Sequence, residues 1–357
     1  MSFGHCKKKV IVAMSGGVDS SVSAGLLLEA GYDVAGVSLR LWEYEREDPK
    51  NCSDYRGAAK VADILRIPHT LLDFRSEFAK QVAEPFARSY LDGRTPNPCV
   101  ACNRDFKLGV LMKWAREQGA DYVATGHYAR IERDSVTGGS ALFRGEDRAK
   151  DQSYFLFALS QEQLRHTLFP LGCLNKVEVR RKANHLGLPV ADRPESQDVC
   201  FGDYRTFVES FAGEGDLDPG EIVDRSGNVL GRHQGIHRVT IGQRRGLGIS
   251  ASHPLYVSEI DTKTKQVKVG TKEELGRRGL IARSVNWVEP PEKKEIPAEV
   301  QVRYRSPSIP CVIRVNGNDS CEVFFRELYP SVTPGQAAVF YRGERVLGGG
   351  WIERALH

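Results

Sequence analysis

Residues 10–32 read VIVAMSGGVDSSVSAGLLLEAGY: an apolar run, a turn of small residues and a segment with helical spacing. The adjacent glycines Gly16 and Gly17 allow the backbone amides of the turn to point inward, and the start of the next helix adds partial positive charge. The turn also carries hydroxyl and carboxylate groups, on Ser15, Asp19, Ser20 and Ser21. A carboxylate here is suited to orient Mg²⁺. The stretch therefore predicts a strand, a phosphate-binding loop and a helix.

This loop differs from the two common nucleotide-binding motifs. It matches neither G-x-x-x-x-G-K-[ST] nor G-x-G-x-x-G, and it lacks the lysine that usually grips nucleotide phosphates. The alternative interpretation is a capped helix after a tight turn, since Ser and Asp are good N-caps. Two glycines in a row between a strand and a helix favour the phosphate site.

The first two hundred residues repeat this alternation of strand and helix. The predicted strands are KVIVAMS, DVAGVSLRLW, PHTLLDF and ADYVATGHY, and the predicted helices are SSVSAGLLLEAG, YRGAAKVADILRI, RDFKLGVLMKWAREQG, QEQLRHTLFPLG and KVEVRRKANHLGLPVAD. Such an alternation predicts a parallel sheet with helices on both faces. Ligands bind beyond the carboxyl ends of such strands, where the Ser-Gly-Gly turn and Gly126–His127 fall.

From about Phe201 the pattern changes to short alternating runs with Gly and Asn-Gly turns. GEIVDRSGNVLGRHQG, RVTIGQRRGLG and PLYVSEIDTKTKQVKVG predict β-hairpins. The fold class is therefore α/β: an N-terminal parallel-sheet nucleotide-binding domain, a small central β-rich domain and a C-terminal β-barrel. We predict their bounds as 1–203, which includes a helical segment at 150–190, then 204–278 and 279–357.

Composition excludes several classes of protein. The chain has 357 residues, of which 41% are hydrophobic and 27% charged, ordinary values for a globular protein. A net charge of +4 permits a polyanionic partner without arguing for one. No stretch has the pattern of a signal peptide or the length of a membrane span, so we expect a cytoplasmic protein with no membrane association. Eight cysteines are too few for a disulfide scaffold, and in a reducing compartment neighbouring cysteines suggest metal or catalytic chemistry.

Two of these cysteines form a C-x-x-C pair in TPNPCVACNRDFKLG, residues 95–109. The prolines rigidify a loop that brings Cys99 and Cys102 to the start of a helix, where the helix end and nearby basic residues favour the thiolate. Such a pair is redox-active, half of a zinc site or part of an iron–sulfur site. The chain has no second C-x-x-C, so structural zinc is the weakest of these. Buried, unreactive thiols are the plain alternative, which suits Cys6, Cys52, Cys173, Cys311 and Cys321.

The motif SGGVDSS resembles the pyrophosphate loop of the N-type ATP pyrophosphatases, the PP-loop superfamily. The resemblance implies cleavage of ATP between the α and β phosphates. AMP is transferred to an oxygen of the substrate, and pyrophosphate remains in the loop. That chemistry does not need the lysine used in γ-phosphoryl transfer.

A series of motifs along nearly the whole chain resembles one family, the tRNA-specific 2-thiouridylases. The matching stretches are MSGGVDSSV, PNPCVACN, ATGHYAR, KDQSYFL, TLFPLG, ESQDVCF, IGQRRGLG, RYRS and SVTPGQAAVFY. The resemblance implies an ATP-dependent tRNA-uridine 2-sulfurtransferase that puts sulfur on the wobble uridine. It also implies Mg²⁺, a tRNA substrate (the Lys, Glu and Gln isoacceptors) and a sulfur-donor protein, either a cysteine desulfurase or a relay protein.

The resemblance also implies roles for individual residues. ATP would be bound by Ala13, Met14, Ser15, Gly16, Gly17, Val18, Asp19, Ser20, Leu39 and Gly126. Cys102 would be the nucleophile, and Cys200 would carry sulfur as a persulfide and finish in a disulfide with Cys102. Asn97, Pro98 and Cys99 would border the flipped uracil. The tRNA would be contacted by His127, Lys150, Asp151, Gln152, Arg303, Tyr304 and Gln336.

Cys99 departs from the family pattern, because many relatives have Asp at this position. With Cys102 and Cys200 it makes a set of three cysteines able to hold a [4Fe–4S] cluster with one iron open for sulfide. The persulfide route and the cluster route both need Cys102 and Cys200, so both stay open.

Two other functions compete with sulfur transfer. A PP-loop amidotransferase or synthetase that uses ammonia explains SGGVDSS but leaves the three cysteines unused. A non-enzymatic, metal-bearing RNA-binding protein explains the cysteines and the β domains but not the nucleotide loop.

Overall fold

The computed structural model describes residues 7–42, 55–136, 138–191, 193, 204–317, 319–330 and 332–357. Cys6, Cys52 and Cys200 lie outside these ranges. The described residues divide into two compact units. The first unit comprises residues 1–80, 99–202 and 344–346, and the second comprises 81–98, 203–343 and 347–357.

The first unit is built on a parallel sheet, as predicted. Its strands are β1 (Lys9–Ala13), β2 (Asp33–Arg40), β3 (His69–Asp73), β4 (Tyr122–Ala124), β5 (Ala129–Arg133), β6 (Ser140–Arg144) and β7 (Thr167–Leu168). The sheet has the order β3-β2-β1-β4-β7, and all four of its pairings are parallel. The antiparallel hairpin β5–β6 lies outside this sheet and pairs with residues 345–346.

The helices of the described residues include those of the predicted alternation and others that were not predicted, such as those at residues 75–78 and 84–91. They are α1 (Val18–Glu29), α2 (Tyr55–Leu65), α3 (Arg75–Phe78), α4 (Glu84–Leu91), α5 (Pro98–Ala101), α6 (Leu111–Glu117), α7 (Gln161–Arg165), α8 (Lys176–His185) and α9 (Tyr204–Glu209). Two π-helical segments, Ala79–Ala83 and Cys102–Val110, join α3 to α4 and α5 to α6. Short 3₁₀ turns occur at Ser153–Phe155, Ile236–Arg238 and Glu273–Leu275.

The core of the first unit brings α8 against α1. Val10 and Val12 of β1 lie in one buried cluster with Val22 of α1 and Val179 of α8. Gly25 of α1 has no room for a side chain, because a Cβ there would lie 2.4 Å from Cδ1 of Leu186. This close packing holds α8 beside α1.

The second unit contains two β-structures. Its strands are β8 (Gly220–Val223), β9 (Val229–His233), β10 (Tyr256–Asp261), β11 (Gln266–Gly270), β12 (Arg277–Trp287), β13 (Glu295–Gln301), β14 (Ile309–Val315), β15 (Ser320–Tyr329), β16 (Ala337–Arg342) and β17 (Arg345–Leu356). Strands β8–β11 form a four-stranded sheet. Strands β12–β17 follow the order β12-β15-β14-β13-β16-β17, and pairing of β12 with β17 closes them into the predicted barrel. Burial raises the pKa of the Cys311 and Cys321 thiols in the barrel core to about 12, as expected for unreactive cysteines.

Several local predictions were wrong, among them the burial of Cys173, which is exposed. RVTIGQRRGLG forms turns instead of a hairpin, and QEQLRHTLFPLG is helical only to Arg165, after which Thr167–Leu168 joins the parallel sheet. Helix α9 opens the region predicted to be β. Within the described residues, no helix is long and apolar enough to cross a membrane.

Candidate active site

The nucleotide loop, residues 14–17, leads from β1 into α1. The Met14 amide donates to the Val37 carbonyl at 2.8 Å, which continues the β1–β2 pairing to the start of the loop. Gly16 has φ of 75°, in the left-handed region that favours glycine, and Gly17 is the extended N-cap of α1. The chain therefore reverses sharply just before the helix.

Hydroxyl groups hold the loop in shape. Ser20 Oγ accepts from the Ser15 amide at 3.2 Å and lies 3.3 Å from the Gly17 carbonyl oxygen, to which it donates. Ser21 Oγ donates to the same carbonyl at 2.8 Å. The first-turn amides of a helix have no intrahelical acceptor, so those of α1 face the loop as donors for an anion.

Asp19, in the first turn of α1, is bound by two groups from other elements. The Tyr128 hydroxyl donates to Oδ1 at 2.8 Å, and Lys176 Nζ lies 2.8 Å from both carboxylate oxygens. The Lys176 side chain is only 12% exposed and that of Asp19 is 31% exposed. The lysine that the loop lacks in sequence thus reaches it from the first residue of α8.

Gly126 packs directly on the start of α1. A Cβ at this position would lie 2.7 Å from the Ser20 amide nitrogen and 2.8 Å from the Asp19 carbonyl carbon. Only a glycine allows the end of β4 to approach so closely. Ala13 ends β1 and Leu39 lies near the end of β2, so these predicted nucleotide-lining residues share the carboxyl edge of the sheet.

Two further contacts secure the loop backbone. Buried Ser38 Oγ donates to the Met14 carbonyl at 2.8 Å, and His69 Nε2 lies 2.9 Å from Ser38 Oγ. Because the hydroxyl proton is used on Met14, the imidazole is the donor to Ser38, and burial lowers the His69 pKa. On another side, an Arg193 guanidinium nitrogen donates to the Gly16 carbonyl at 3.1 Å. Arg180 of α8 donates to the Arg193 carbonyl at 3.4 Å.

The predicted cysteine pair lies at the start of a helix, as expected. Pro98 is the first residue of α5, Cys99 is half-buried, and buried Cys102 begins the π-helical segment. Gln163 Nε2 donates to the Arg104 and Leu108 carbonyls at 2.6 and 2.7 Å, which satisfies two carbonyls of this segment. The Arg104 guanidinium is paired with the neighbouring Asp105 carboxylate at 2.7 Å.

Residues 92–97 form the loop that leads to the predicted target-base residues Asn97, Pro98 and Cys99, and they are named the target-base loop for that prediction. Helix α4 ends at Leu91, and Gly93 follows with φ of 65°. The Arg94 amide donates to the Ser89 carbonyl at 2.9 Å, which is the bonding of a Schellman motif. The Thr95 amide donates to the Pro334 carbonyl at 3.1 Å. Gln336 Nε2 donates to the Thr95 carbonyl at 2.9 Å. Both backbone groups of Thr95 are therefore held by residues 334–336.

His127 lies below the surface of the first unit. Its Nδ1 is 2.7 Å from Thr125 Oγ1, and its ring packs edge-on against Phe169. Burial, with a smaller contribution from the Lys107 charge, lowers the His127 pKa to about 3. Contact between His127 and tRNA stays a prediction. The imidazole that would make this contact is uncharged at neutral pH, because its pKa is about 3.

The other residues predicted to contact tRNA lie on turns. Asp151 is buried, and its carboxylate accepts from the Gly145 and Ser153 amides and pairs with Arg144 at 3.0 Å. It thereby shapes the turn that carries half-exposed Lys150.

Gln152, next along the same turn, accepts from the Tyr128 amide at 3.1 Å. Arg303 and Tyr304 begin a turn closed by the Ser306 amide on the Arg303 carbonyl at 3.0 Å. Arg305 in that turn has φ of 63°, an unusual value for a side chain of its size.

The described residues contain no group of three His, Cys, Asp or Glu side chains placed to hold a metal ion. Cys200 lies outside them, so the three-cysteine cluster stays a prediction.

A parallel sheet with a Ser-Gly-Gly turn at its carboxyl edge, leading into a helix that presents Asp19, defines a nucleotide-binding domain of the PP-loop class. Family models match in three consecutive stretches: a tRNA methyl transferase HUP domain at residues 8–203, a tRNA methyl transferase PRC-barrel domain at 205–271 and an Aminomethyltransferase beta-barrel domain at 277–352. The chain belongs to the family of the tRNA-specific 2-thiouridylases.

Full-length relatives carry that name. The chain is 50% identical to the tRNA-specific 2-thiouridylase MnmA of Geobacter metallireducens, over 98% of each chain. It is 50% identical to that of Geotalea uraniireducens, over 98% of this chain and 96% of the relative. It is 51% identical to that of Syntrophotalea carbinolica, over 97% of this chain and 98% of the relative.

Sequence reasoning missed four residues of the nucleotide site: Ser38, Tyr128, Lys176 and Arg193. Only Lys176 leaves a signal in the sequence. The stretch NKVE, residues 175–178, has the form of a capped helix start, and a lysine in a first turn opposes the helix dipole. The other three are identified only by the folded chain.

Proposed function

We propose that this chain catalyses ATP-dependent 2-thiolation of the wobble uridine of tRNA. The observation that carries the proposal is a PP-loop site, complete from Met14 to Asp19, in a chain that matches tRNA-specific 2-thiouridylases over its whole length. An ammonia-using PP-loop enzyme would leave the cysteines at the start of α5 without a role.

The reaction starts with activation of the uracil. Its C2 carbonyl is a poor electrophile, so the C2 oxygen attacks the α phosphate of ATP and becomes part of an AMP ester. Pyrophosphate leaves into the nucleotide loop, where the first-turn amides of α1 and the Ser15 hydroxyl neutralise its charge. The residues present suit Mg²⁺, since Asp19 offers a partly exposed carboxylate of the kind this ion prefers. When bound, Mg²⁺ would be held by Asp19 and phosphate oxygens and would stabilise the leaving group.

Sulfur then replaces the activated oxygen. Cys200 carries it as a persulfide, received from a cysteine desulfurase or relay protein. The Cys102 thiolate attacks the inner sulfur of that persulfide, so a Cys102–Cys200 disulfide forms and sulfide is released. Sulfide attacks C2, and AMP leaves with the former C2 oxygen. A two-electron thiol reductant restores both cysteines.

The residues that contact tRNA in this proposal are those assigned by family resemblance. Base flipping would place the uracil beside Asn97, Pro98 and Cys99. The tRNA body would contact His127, Lys150, Asp151, Gln152, Arg303, Tyr304 and Gln336. The isoacceptors are those for Lys, Glu and Gln.

The test is an assay with purified protein, unmodified tRNA, ATP and a persulfide donor, scored for 2-thiouridine by nucleoside mass spectrometry. We expect one AMP and one pyrophosphate for each 2-thiouridine. Cys102→Ala and Cys200→Ala should each lower the rate by about 1,000-fold or more, because each removes a group that forms or breaks a bond. Cys173→Ala, at an exposed cysteine, is the matched control and should keep the wild-type rate.

Cys99→Ala separates the two sulfur routes. In the persulfide route this variant keeps at least a tenth of the activity. In the cluster route the variant loses activity. It also loses the absorption near 400 nm that is typical of [4Fe–4S] clusters and that the anaerobically purified wild-type protein would show. Absence of 2-thiouridine with both a persulfide donor and a reconstituted cluster plus sulfide would contradict the proposal.

A further inference from the structure

We propose that Lys176 binds the pyrophosphate part of ATP and supplies the positive charge that the nucleotide loop lacks in its own sequence. The inference rests on the ATP chemistry of the proposed function and names a ligand-binding residue for it. Three observations support it: Lys176 lies at the nucleotide loop, its charge is unfavourable with respect to the dipole of its own helix, and it pairs with the Asp19 carboxylate.

The lysine is held at the loop. Its Nζ is 2.8 Å from both oxygens of Asp19, a residue of the same helical turn whose amides face the loop. Its ammonium lies 5.8 Å from the centre of the Tyr128 ring, and the Tyr128 hydroxyl donates to the same carboxylate. Burying a long side chain to this extent costs rotamer entropy and partial desolvation of a charge.

The position of Lys176 also works against its own helix. Lys176 is the first residue of α8, behind a capping box formed by Asn175 and Glu178, and its amide donates to Asp147 at 3.0 Å. A cation in a first helical turn is repelled by the helix dipole, and stability alone favours an acidic residue there. A buried lysine kept at an unfavourable position indicates a role outside helix stability.

The same helix contains an internal comparison. Lys182, in the last turn of α8, pairs with Glu29 of α1 at 2.7 Å. That pair also joins α8 to α1, but the lysine there agrees with the dipole, and both side chains are more exposed than Lys176. Helix α8 thus makes one ordinary ion pair with α1 and a second at the nucleotide loop.

Charge balance explains why the loop needs this lysine. Asp19 by itself would repel the several negative charges of pyrophosphate. The ammonium offsets that repulsion, and because its three donors rotate about a flexible stem, it can contact a phosphate oxygen while it still contacts the carboxylate. Arg193, on the Gly16 carbonyl, adds a second positive charge to the same loop.

Isothermal titration with inorganic pyrophosphate, in EDTA so that no metal contributes, tests this role without any turnover. We expect Lys176→Met to weaken pyrophosphate binding about 10- to 100-fold, the effect of losing a charge-assisted contact. AMP, which lacks the β and γ phosphates, should bind within about twofold of wild type. Lys182→Met removes the matched ion pair and should leave both affinities unchanged. Wild-type pyrophosphate affinity in Lys176→Met, or no measurable pyrophosphate binding to the wild type, would overturn the inference.

Two further variants distinguish direct binding from an indirect effect. If Lys176 only neutralises Asp19, the double variant K176M/D19N regains wild-type pyrophosphate affinity, and the inference fails. If the ammonium contacts the phosphate, the double variant stays weak and Lys176→Arg recovers part of the affinity. Equal loss of AMP and pyrophosphate binding in Lys176→Met, at an unchanged unfolding midpoint, would also overturn it.

These titrations contain neither tRNA nor a sulfur donor. A wild-type protein that binds pyrophosphate through Lys176 but makes no 2-thiouridine leaves this inference standing and removes the proposed function. If the wild-type protein makes 2-thiouridine while the Lys176→Met variant binds pyrophosphate with wild-type affinity, the proposed function stands and this inference fails.

Discussion

The nucleotide loop and the target-base loop are held in place in opposite ways. Most contacts of the nucleotide loop come from residues close in sequence or on the neighbouring strand, such as Ser20 on Ser15 and Ser38 on Met14. The target-base loop is held at Thr95 by Gln336, which lies 241 residues further along the chain. The first loop is therefore held mainly by its own helix and by the neighbouring strand β2, while the second depends on residues 334–336, which lead into β16.

The difference predicts that substitutions at the two loops affect different steps of the reaction. Changes at the nucleotide loop should alter ATP binding and leave the barrel unaffected. Changes at residues 334–336 should alter the handling of the target base and leave ATP binding unaffected. Substitutions at each loop test whether ATP binding and the handling of the target base are independent.

The largest effect is expected for Gly126→Ala. Its Cβ would lie 2.7 Å from the Ser20 amide nitrogen of α1, so α1 or the end of β4 must shift. We expect ATP-dependent activity to fall about 100-fold, because displacements near 1 Å in a site have effects of this size. The thiolation assay measures the loss of activity, and titration with ATP measures the accompanying loss of binding.

Gly119→Ala is the control for Gly126→Ala. The new Cβ there meets no atom within 4 Å, although the φ of Gly119, at 72°, lies in the left-handed region that is unfavourable for alanine, unlike that of Gly126. Equal loss of ATP binding in both variants would mean that a general loss of stability, and not contact with the start of α1, causes the effect.

Gln336→Ala tests the target-base loop. It removes the amide donor to the Thr95 carbonyl, and we expect kcat for thiolation to fall up to about 10-fold, since a net hydrogen bond contributes up to about 1.4 kcal/mol. ATP affinity should not change. Gln266→Ala, which removes an amide contact with Glu221 in the same unit, should have no effect. A rise in KM for tRNA with kcat unchanged would mean that Gln336 acts on the tRNA and does not position the loop.

His127 predicts a pH dependence of stability. Its folded-state pKa of about 3 lies below the ordinary value of 6.5, so below pH 6.5 the unfolded chain binds a proton that the folded chain does not. Stability from this residue is complete above pH 6.5 and falls by about 1.4 kcal/mol for each pH unit towards pH 3. Denaturant unfolding at pH 7.5 and 5.5 should show a smaller loss for His127→Asn than for wild type. Equal losses would contradict a neutral, buried ring.

The smallest effect is expected for Ser38→Ala. The variant leaves the Met14 carbonyl without its hydroxyl donor, and we expect KM for ATP to rise about fivefold, in line with about 1 kcal/mol for a buried hydrogen bond. Ser23→Ala removes another buried hydroxyl, one that bonds within α1, and is the control. An unchanged KM in Ser38→Ala would show that the β1–β2 pairing alone holds Met14.

Local sequence patterns predicted the parts of the site that are local in the fold. The apolar run before Ser15 and the helical spacing after Gly17 predicted the strand, turn and helix, and Pro98 predicted the helix start at the cysteines. RVTIGQRRGLG failed because its alternation resembles a strand, yet its backbone bonds to Val257 of β10 at Gly242 and Gln243 do not extend into a ladder, and the segment forms turns. Hairpin β5–β6 went unnoticed because its strands lie between two elements of the parallel sheet.

The sequence by itself determined the strand, turn and helix of the PP-loop, because these depend on residue type and short spacing, and its resemblance to the 2-thiouridylases implied the phosphate chemistry and the roles of the cysteines. Only the tertiary structure decided where the positive charge of the nucleotide site comes from. Lys176 and Asp19 are 157 residues apart, and no periodicity links them. They meet because α8 packs on α1 through Gly25 and Leu186, and that packing brings the first turns of the two helices together at the loop.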